Sequence, residues 1–133
     1  MTTVRTGQRT VLVIEDDPWT RTITTALLAG EGFAVVEAKN GEEGLRFARE
    51  QVPDAVLLDL ALPTKSGLEV LRELKSDDKT EEIPVIVVSA YGTLMNEEDA
   101  HQANGVIQKP FDYDDLVGQV ERATARKYAV ALT

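Results

Sequence analysis

The chain contains no cysteine and one histidine, and aromatic residues make up only 5% of its 133 residues. The absence of cysteine excludes disulfides, thiolate metal sites and a cysteine nucleophile, and fits a reducing cytoplasm. Positive charge is also scarce, since 14 Lys and Arg face 23 Asp and Glu, for a formal net charge of −9. This charge repels polyphosphate backbones and therefore argues against direct nucleic-acid binding.

Long hydrophobic stretches are missing as well. No segment approaches the ~20 apolar residues that a membrane span requires, and the polar stretch from Met1 to Arg9 lacks the apolar core of a signal peptide. The remaining balance is ordinary for a globular protein, with 43% apolar and 28% charged residues. We therefore expect one soluble, cytoplasmic domain at residues 10–128, after a flexible segment at 1–9 and before a tail at 129–133.

Five short apolar runs alternate with segments that carry helix signals. The runs are continuous and rich in β-branched residues, which is typical of strands buried on both faces of a parallel sheet. Because crossovers between parallel strands are right-handed, few topologies remain. We predict an α/β, doubly wound, flavodoxin-like sheet of five parallel strands in the order 2-1-3-4-5, with five helices. The runs are Val11–Ile14, Phe33–Val36, Ala55–Leu58, Val85–Val88 and the weaker Val106–Ile107.

Capping residues mark where the first helix begins. Asp17 followed by Pro18 predicts an N-cap and the first helical residue. On this helix we expect Ile23 and Leu27 to face the core and Trp19 to pack against neighbouring residues.

Later helices carry similar signals. Asn40 and Ser66 each precede an acid by three residues, as in a capping box. Asp112 is expected to cap the last helix, with Tyr113 on its apolar face. The segment between Thr93 and Asn104 has few apolar residues, so its helix is expected to be held loosely.

Polar residues stand where the apolar runs end. Glu15 and Asp16 follow the first run, Asp59 the third, Ser89 the fourth and Lys109 the fifth. Because the carboxyl ends of parallel strands meet at one edge of a sheet, we expect these groups to converge. Clustered carboxylates without His or Cys indicate Mg²⁺, with Mn²⁺ as a substitute. An aspartate in such a site can accept a phosphoryl group, stabilised by a nearby ammonium and hydroxyl.

Four motifs carry a family resemblance. They are Val-Leu-Val-Ile-Glu-Asp-Asp-Pro, Leu-Leu-Asp-Leu-Ala-Leu-Pro with Gly67, Val-Ile-Val-Val-Ser-Ala, and Lys-Pro-Phe, in this order between Thr10 and Lys127. Together they resemble the receiver domain of response regulators in two-component signalling, in its single-domain, chemotaxis-regulator-like form. The resemblance covers nearly the whole chain and implies a phosphorylation-dependent switch rather than a metabolic enzyme.

The resemblance also implies a metal site. Arg21 matches a frequent arginine of the family's first helix, which makes Glu15 and Asp16 the family's acidic pair. Asp16 would then bind magnesium directly, and Glu15 mostly through water. Asp59 would be the second direct ligand, and the backbone carbonyl of Ala61 the third protein ligand.

Further roles follow from the same resemblance. Asp59 would accept the phosphoryl group, Ser89 would be the switch hydroxyl, and Lys109, before a cis bond to Pro110, would bind phosphate. The donor would be a sensor histidine kinase or a histidine phosphotransfer protein. The response would appear on the surface of the last two helices and the edge strand, where a downstream protein target binds. A homodimer through the last two helices is compatible with the resemblance.

Two positions leave alternatives open. Three residues before Lys109 the family often has an aromatic ring that rotates on activation, and here that residue is Val106. This favours a rival interpretation, a phosphorylation-independent interaction or dimerisation module. A phosphatase acting on external substrates usually needs a second acid two residues after its nucleophile, where this chain has Ala61.

Tyr91 is expected to shield a phosphorylated Asp59 from water.

Overall fold

The computed structural model describes residues 8–90 and 95–132, with side chains through residue 125. In this part of the chain five parallel strands are ordered β2-β1-β3-β4-β5, which confirms the predicted topology. The strands are β1 Thr10–Ile14, β2 Ala34–Ala38, β3 Ala55–Asp59, β4 Val85–Ala90 and β5 Gly105–Lys109. The helices are α1 Pro18–Gly30, α2 Gly41–Gln51, α3 Gly67–Ser76, α4 Glu97–Gln102 and α5 Tyr113–Leu132.

The ends of the chain bear on the predicted boundaries. Residues 1–7, most of the segment expected to be flexible, lie outside the described residues. Arg9 contacts α5, because its Nη1 donates to the hydroxyl of Thr124 at 3.1 Å. Helix α5 continues to Leu132, past residue 128 where we placed the end of the domain. None of the helices in the described residues is both long enough and apolar enough to span a bilayer.

Alternate side chains of the central strands enter two apolar clusters, one on each face of the sheet. In β1, Leu12 and Ile14 pack with residues of α2 and α3, whereas Val11 and Val13 pack with residues of α1 and α5. β3 and most of β4 are buried, as the continuous apolar runs predict. β2 and β5 are only partly buried, because each edge strand has a neighbour on one side only.

The predicted helix starts are present. Asp17 accepts a hydrogen bond from the Thr20 amide at 2.8 Å, and Pro18 is the first residue of α1. Ser66 forms a full capping box at α3. Asn40 and Asp112 accept amide hydrogen bonds at the starts of α2 and α5. These bonds satisfy amides that lack a partner inside the helix.

Two expectations for α1 are wrong. Trp19 is 72% exposed and Ile23 37% exposed, so neither lies in the core. The residues buried on α1 are Thr24 and Leu28, while Leu27 packs at the edge of a cluster. Thr24 is compatible with burial because its hydroxyl donates to the Thr20 carbonyl at 2.8 Å.

The expectation for Tyr113 is also wrong. This residue is exposed rather than packed on the apolar face of α5. Its hydroxyl hydrogen-bonds to the carboxylate of Glu31, just after α1. Leu116 and Val120, which share the predicted apolar face, are buried as expected.

Helix α4 is short and is held to α3 by charged groups. Arg72 donates to both carboxylate oxygens of Asp99, at 3.0 and 2.7 Å. Asp99 is buried, and its bonds with Arg72 hold the pKa of its carboxyl below the ordinary value. Lys75 also donates to Asn104 after α4, at 3.1 Å. The few apolar residues of α4 are thus supplemented by a two-point ion pair.

Candidate functional site

Three acids meet where β1 and β3 end. One carboxylate oxygen from each of Glu15, Asp16 and Asp59 lies within 4.8 Å of the other two. The register explains this, because Ile14 and Leu58 are paired immediately before the acids. Glu15 and Asp59 are only 5% and 4% exposed, whereas Asp16 is open to solvent.

Lys109 reaches this cluster from β5. Its Nζ lies 3.2 Å from Glu15 Oε1 and 3.2 Å from Asp59 Oδ2. The following bond to Pro110 is cis, as the resemblance implied. Burial alone would lower the pKa of Lys109, but the attraction of Asp59 and Glu15 outweighs it and raises the pKa. Lys109 is therefore a cation at neutral pH.

The carboxyl of Glu15 is affected mainly by burial, which raises its pKa. The amide of Asp17 donates to its Oε2 at 3.1 Å and opposes the rise, while the nearby carboxylate of Asp59 reinforces it. Two buried acids so close together repel each other when both are ionised. The site therefore favours cations, of which Lys109 is one.

The loop after β3 orients Asp59. The amide of Ala61 donates to Asp59 Oδ1 at 3.0 Å, so each carboxylate oxygen has a donor. The chain then turns back, and the Gly67 amide donates to the Leu60 carbonyl at 3.1 Å. A β-carbon at position 67 would lie 2.4 Å from both the Asp59 carbonyl oxygen and the Leu60 Cα. Glycine is thus required by the close approach of two backbone segments.

Ser89 stands on β4, between the strands that carry Asp59 and Lys109. Asp59 is in register with Val88, and the Leu60 amide donates to the Val88 carbonyl at 3.0 Å. Ser89, the next residue, is partly buried at the same edge. Tyr91 lies outside the described residues, so its shielding role stays a prediction.

Sequence reasoning used Arg21 only for alignment and missed its contacts. Its Nη1 donates to the backbone carbonyls of Glu15 at 2.8 Å and Asp16 at 3.3 Å. A side chain on α1 thus holds the backbone that carries two acids. The spacing of five and six residues could have suggested this contact, because the first helical turns lie over the preceding loop.

The donor atoms of the cluster fit a hard divalent cation. All three acids offer carboxylate oxygens, and neither His nor Cys belongs to the cluster. Such an oxygen set suits Mg²⁺ or Mn²⁺, which share carboxylate and water ligands. The exposed side of Asp16 leaves access from solvent.

Residues 11–121 match the model of one protein family, the response regulator receiver domain. The chain belongs to this family. The polar-differentiation response regulator DivK of Brucella anthropi is 38% identical over 115 residues, which are 85% of this chain and 94% of DivK. The transcriptional regulatory protein ZraR of Escherichia coli is 34% identical over 122 residues, 90% of this chain but 27% of ZraR.

A solved receiver domain supports the same assignment. The receiver domain of sensor histidine kinase PA1611 from Pseudomonas aeruginosa has a TM-score of 0.81 and 27% identity to this chain. The match covers 90% of this chain and 99% of that domain, which has a magnesium ion coordinated in its active-site cleft. As a receiver domain, the chain is a phosphorylation-dependent signalling switch, a class that works with histidine kinases and phosphotransfer proteins.

Proposed function

We propose that Asp59 accepts a phosphoryl group from the phosphohistidine of a sensor histidine kinase or a histidine phosphotransfer protein. The N–P bond of the donor breaks, an O–P bond forms to a carboxylate oxygen of Asp59, and the imidazole nitrogen keeps the electron pair. Mg²⁺ or Mn²⁺ would be held by Glu15, Asp16, Asp59 and the backbone carbonyl of Ala61. When bound, this cation supplies positive charge to the phosphoryl oxygens.

The observation that carries the proposal is the position of Lys109. Its ammonium lies 3.2 Å from Asp59 Oδ2, the oxygen opposite the one held by the Ala61 amide. A phosphoryl group on Asp59 would place new negative charge beside this cation, which favours the product. Ser89, at the end of the intervening strand, can donate a hydrogen bond to the same group.

A shallow apolar groove beside Lys109 supports docking of a protein donor. The groove encloses about 440 Å³ and is lined by Thr20, Ile23, Lys109, Pro110 and Phe111. It combines exposed apolar surface with a cation of the reaction site. Exposed apolar surface of this kind is common where proteins bind.

The output is proposed to be a population shift. Phosphorylation changes the charge at the ends of β3, β4 and β5, and favours the conformer that best places Ser89 and Lys109 around the new group. The affected surface would be formed by α4, β5 and α5, and a downstream protein would bind there, in the cytoplasm. Catalysis by the domain would be limited to gain and loss of its own phosphoryl group.

The alternative is a receiver that interacts with partners without phosphorylation. One observation favours it: Val106 on β5 is 48% exposed. Valine has one short branched side chain and cannot alternate between buried and exposed positions as an aromatic ring does. The surface of β5 would then be an unswitched contact.

Intact-protein mass spectrometry after incubation with acetyl phosphate separates the two functions. The wild type is expected to gain one phosphoryl group only with Mg²⁺ or Mn²⁺, and Asp59→Asn to gain none. Asp114→Asn, the same change at an exposed position of α5, is the matched control and should behave like the wild type. If the wild type gains nothing with either cation, the phosphorylation-independent function is favoured.

A further inference from the structure

Arg21 connects three parts of the molecule beside the acid cluster. Its Nη1 donates to the backbone carbonyls of Glu15 and Asp16, at 2.8 and 3.3 Å. Its Nε lies 3.7 Å from a carboxylate oxygen of Glu37 on β2. Glu37 in turn accepts a hydrogen bond from the Thr25 hydroxyl of α1, at 2.5 Å. The guanidinium is thus held from one side and holds the acidic loop on the other.

The loop needs such a partner because the sheet does not provide one. The last paired residues of β1 and β2 are Ile14 and Ala38, and the Glu15 amide still donates to the Ala38 carbonyl at 3.0 Å. The carbonyls of Glu15 and Asp16 lie past this point. Unpaired carbonyls and neighbouring carboxylates would both favour an opened loop.

We propose that Arg21 is a positioning residue for divalent-cation binding, acting through the backbone of Glu15 and Asp16. It does not contact the cation itself. The two hydrogen bonds keep both acidic side chains beside Asp59 before the cation arrives, so less ordering is needed on binding. This inference rests on the proposed function, because the cation it concerns is the one proposed there.

The proposal is testable because a positioning role and a purely electrostatic role of Arg21 predict opposite changes in Mg²⁺ affinity when Arg21 is removed. A guanidinium beside the cluster repels a divalent cation, so if Arg21 acted only as a charge, its removal would strengthen Mg²⁺ binding. If Arg21 acts by position, its removal weakens binding. In other metal sites, loss of a group that orients the metal ligands typically weakens metal affinity by about 10- to 100-fold.

In the experiment, each variant is titrated with Mg²⁺ alone, and binding is monitored by the shifts of its amide signals in two-dimensional NMR spectra. The same spectra show whether the variant is folded. Arg21→Met removes both donors and the charge, and is expected to weaken Mg²⁺ binding by about tenfold. Arg49→Ala, which removes an arginine paired with Asp77 on another surface, is the control for charge and should bind as the wild type does.

Arg21→Lys provides the rescue. Both hydrogen bonds come from one nitrogen of Arg21, so an ammonium with three donors can replace them. Its Mg²⁺ affinity should fall by less than the about tenfold loss expected for Arg21→Met, because no bidentate or stacked geometry is lost. A folded lysine variant that binds Mg²⁺ about tenfold more weakly than the wild type would overturn the proposal, whether or not Arg21→Met folds.

Other outcomes distinguish failure of this inference from failure of the proposed function on which it rests. If the wild type binds Mg²⁺ and folded Arg21→Met binds it equally well or more tightly, the positioning role is wrong, but the proposed cation site stands. A wild type whose amides do not respond to Mg²⁺ would remove the proposed cation site, and this inference with it. Weakened binding in Arg49→Ala to the same degree would show that the loss is not specific to Arg21 and would overturn the positioning role, since removal of a positive charge alone should strengthen Mg²⁺ binding.

Discussion

Gly67 packs so closely against the backbone of Asp59 that a β-carbon at position 67 would lie 2.4 Å from the Asp59 carbonyl oxygen. Gly67→Ala must therefore shift either α3 or the end of β3. Overpacking of this kind costs about 1–3 kcal/mol of stability. We expect urea denaturation to show a loss in this range, and acetyl phosphate to label the folded variant more slowly than the wild type.

Gly118→Ala is the matched control for Gly67→Ala. A β-carbon at Gly118 would lie 3.2 Å from Nη1 of Arg122, the far end of an exposed and flexible side chain. The change also removes a glycine from the interior of α5, which favours the helix by about 1 kcal/mol. We expect no loss of stability and unchanged labelling. Equal slowing in both alanine variants would show that Asp59 does not depend on its contact with Gly67.

Lys109→Met is expected to separate cation binding from phosphoryl uptake. Removing an ammonium 3.2 Å from Glu15 and Asp59 relieves competition for their oxygens, so Mg²⁺ should bind more tightly. Labelling by acetyl phosphate should fall by about 10²–10³, as for the loss of one preorganised donor. Lys79→Met, in the exposed loop between α3 and β4, should change neither quantity. A fall in labelling together with weaker Mg²⁺ binding would contradict this account of Lys109.

The ion pair between Arg72 and Asp99 should make stability depend on pH in one direction. Because the folded pKa of Asp99 is lowered, the unfolded chain takes up this proton more readily. The stabilisation is complete above the ordinary Asp pKa of about 3.9 and is lost as the pH falls through the folded pKa. Melting temperatures of wild type and Asp99→Asn should therefore differ most at neutral pH and converge in acid. A difference that is constant down to about pH 3 would exclude the pair as its cause.

Trp19 is expected to affect phosphoryl transfer from a protein donor but not from a small donor such as acetyl phosphate. Its side chain is 72% exposed on the first turn of α1, the helix that also supplies Thr20 and Ile23 to the groove. We expect Trp19→Ala to change stability by less than about 0.5 kcal/mol and to leave acetyl phosphate labelling unchanged. Transfer from a cognate phosphohistidine protein should be slower by tenfold or so, the effect of losing about 1.4 kcal/mol of docking energy. Equal transfer rates in variant and wild type would place the docking surface elsewhere.

The strand order and the meeting of the site residues could be predicted because both depend on short-range patterns. A continuous apolar run ending in Glu15, Asp59 or Lys109 specifies a strand and the group at its end. The parallel topology then brings these ends together. Asp17 could be identified as a cap for the same reason, since capping involves residues three apart.

Other features depend on how a helix is rotated on the sheet, and local patterns do not determine this. Ile23 and Thr24 are neighbours, and spacing alone favoured the apolar residue for burial, yet Thr24 is inside. The pair of Arg72 and Asp99 spans 27 residues and two helices. Nothing near Asp99 in the sequence indicates that its carboxylate is buried and paired.

The central strands belong to both apolar clusters at once, and this has a consequence for how the domain opens. Leu57 of β3 faces one cluster and Leu58 the other, so neither layer of helices can detach without exposing a face of the same strand. Amide protons of β1 and β3 should therefore exchange with solvent only when the whole domain unfolds, at one common free energy. Those of α4, which has few apolar residues, should exchange through smaller local openings, so one helix of the proposed output surface can open while the central sheet stays intact.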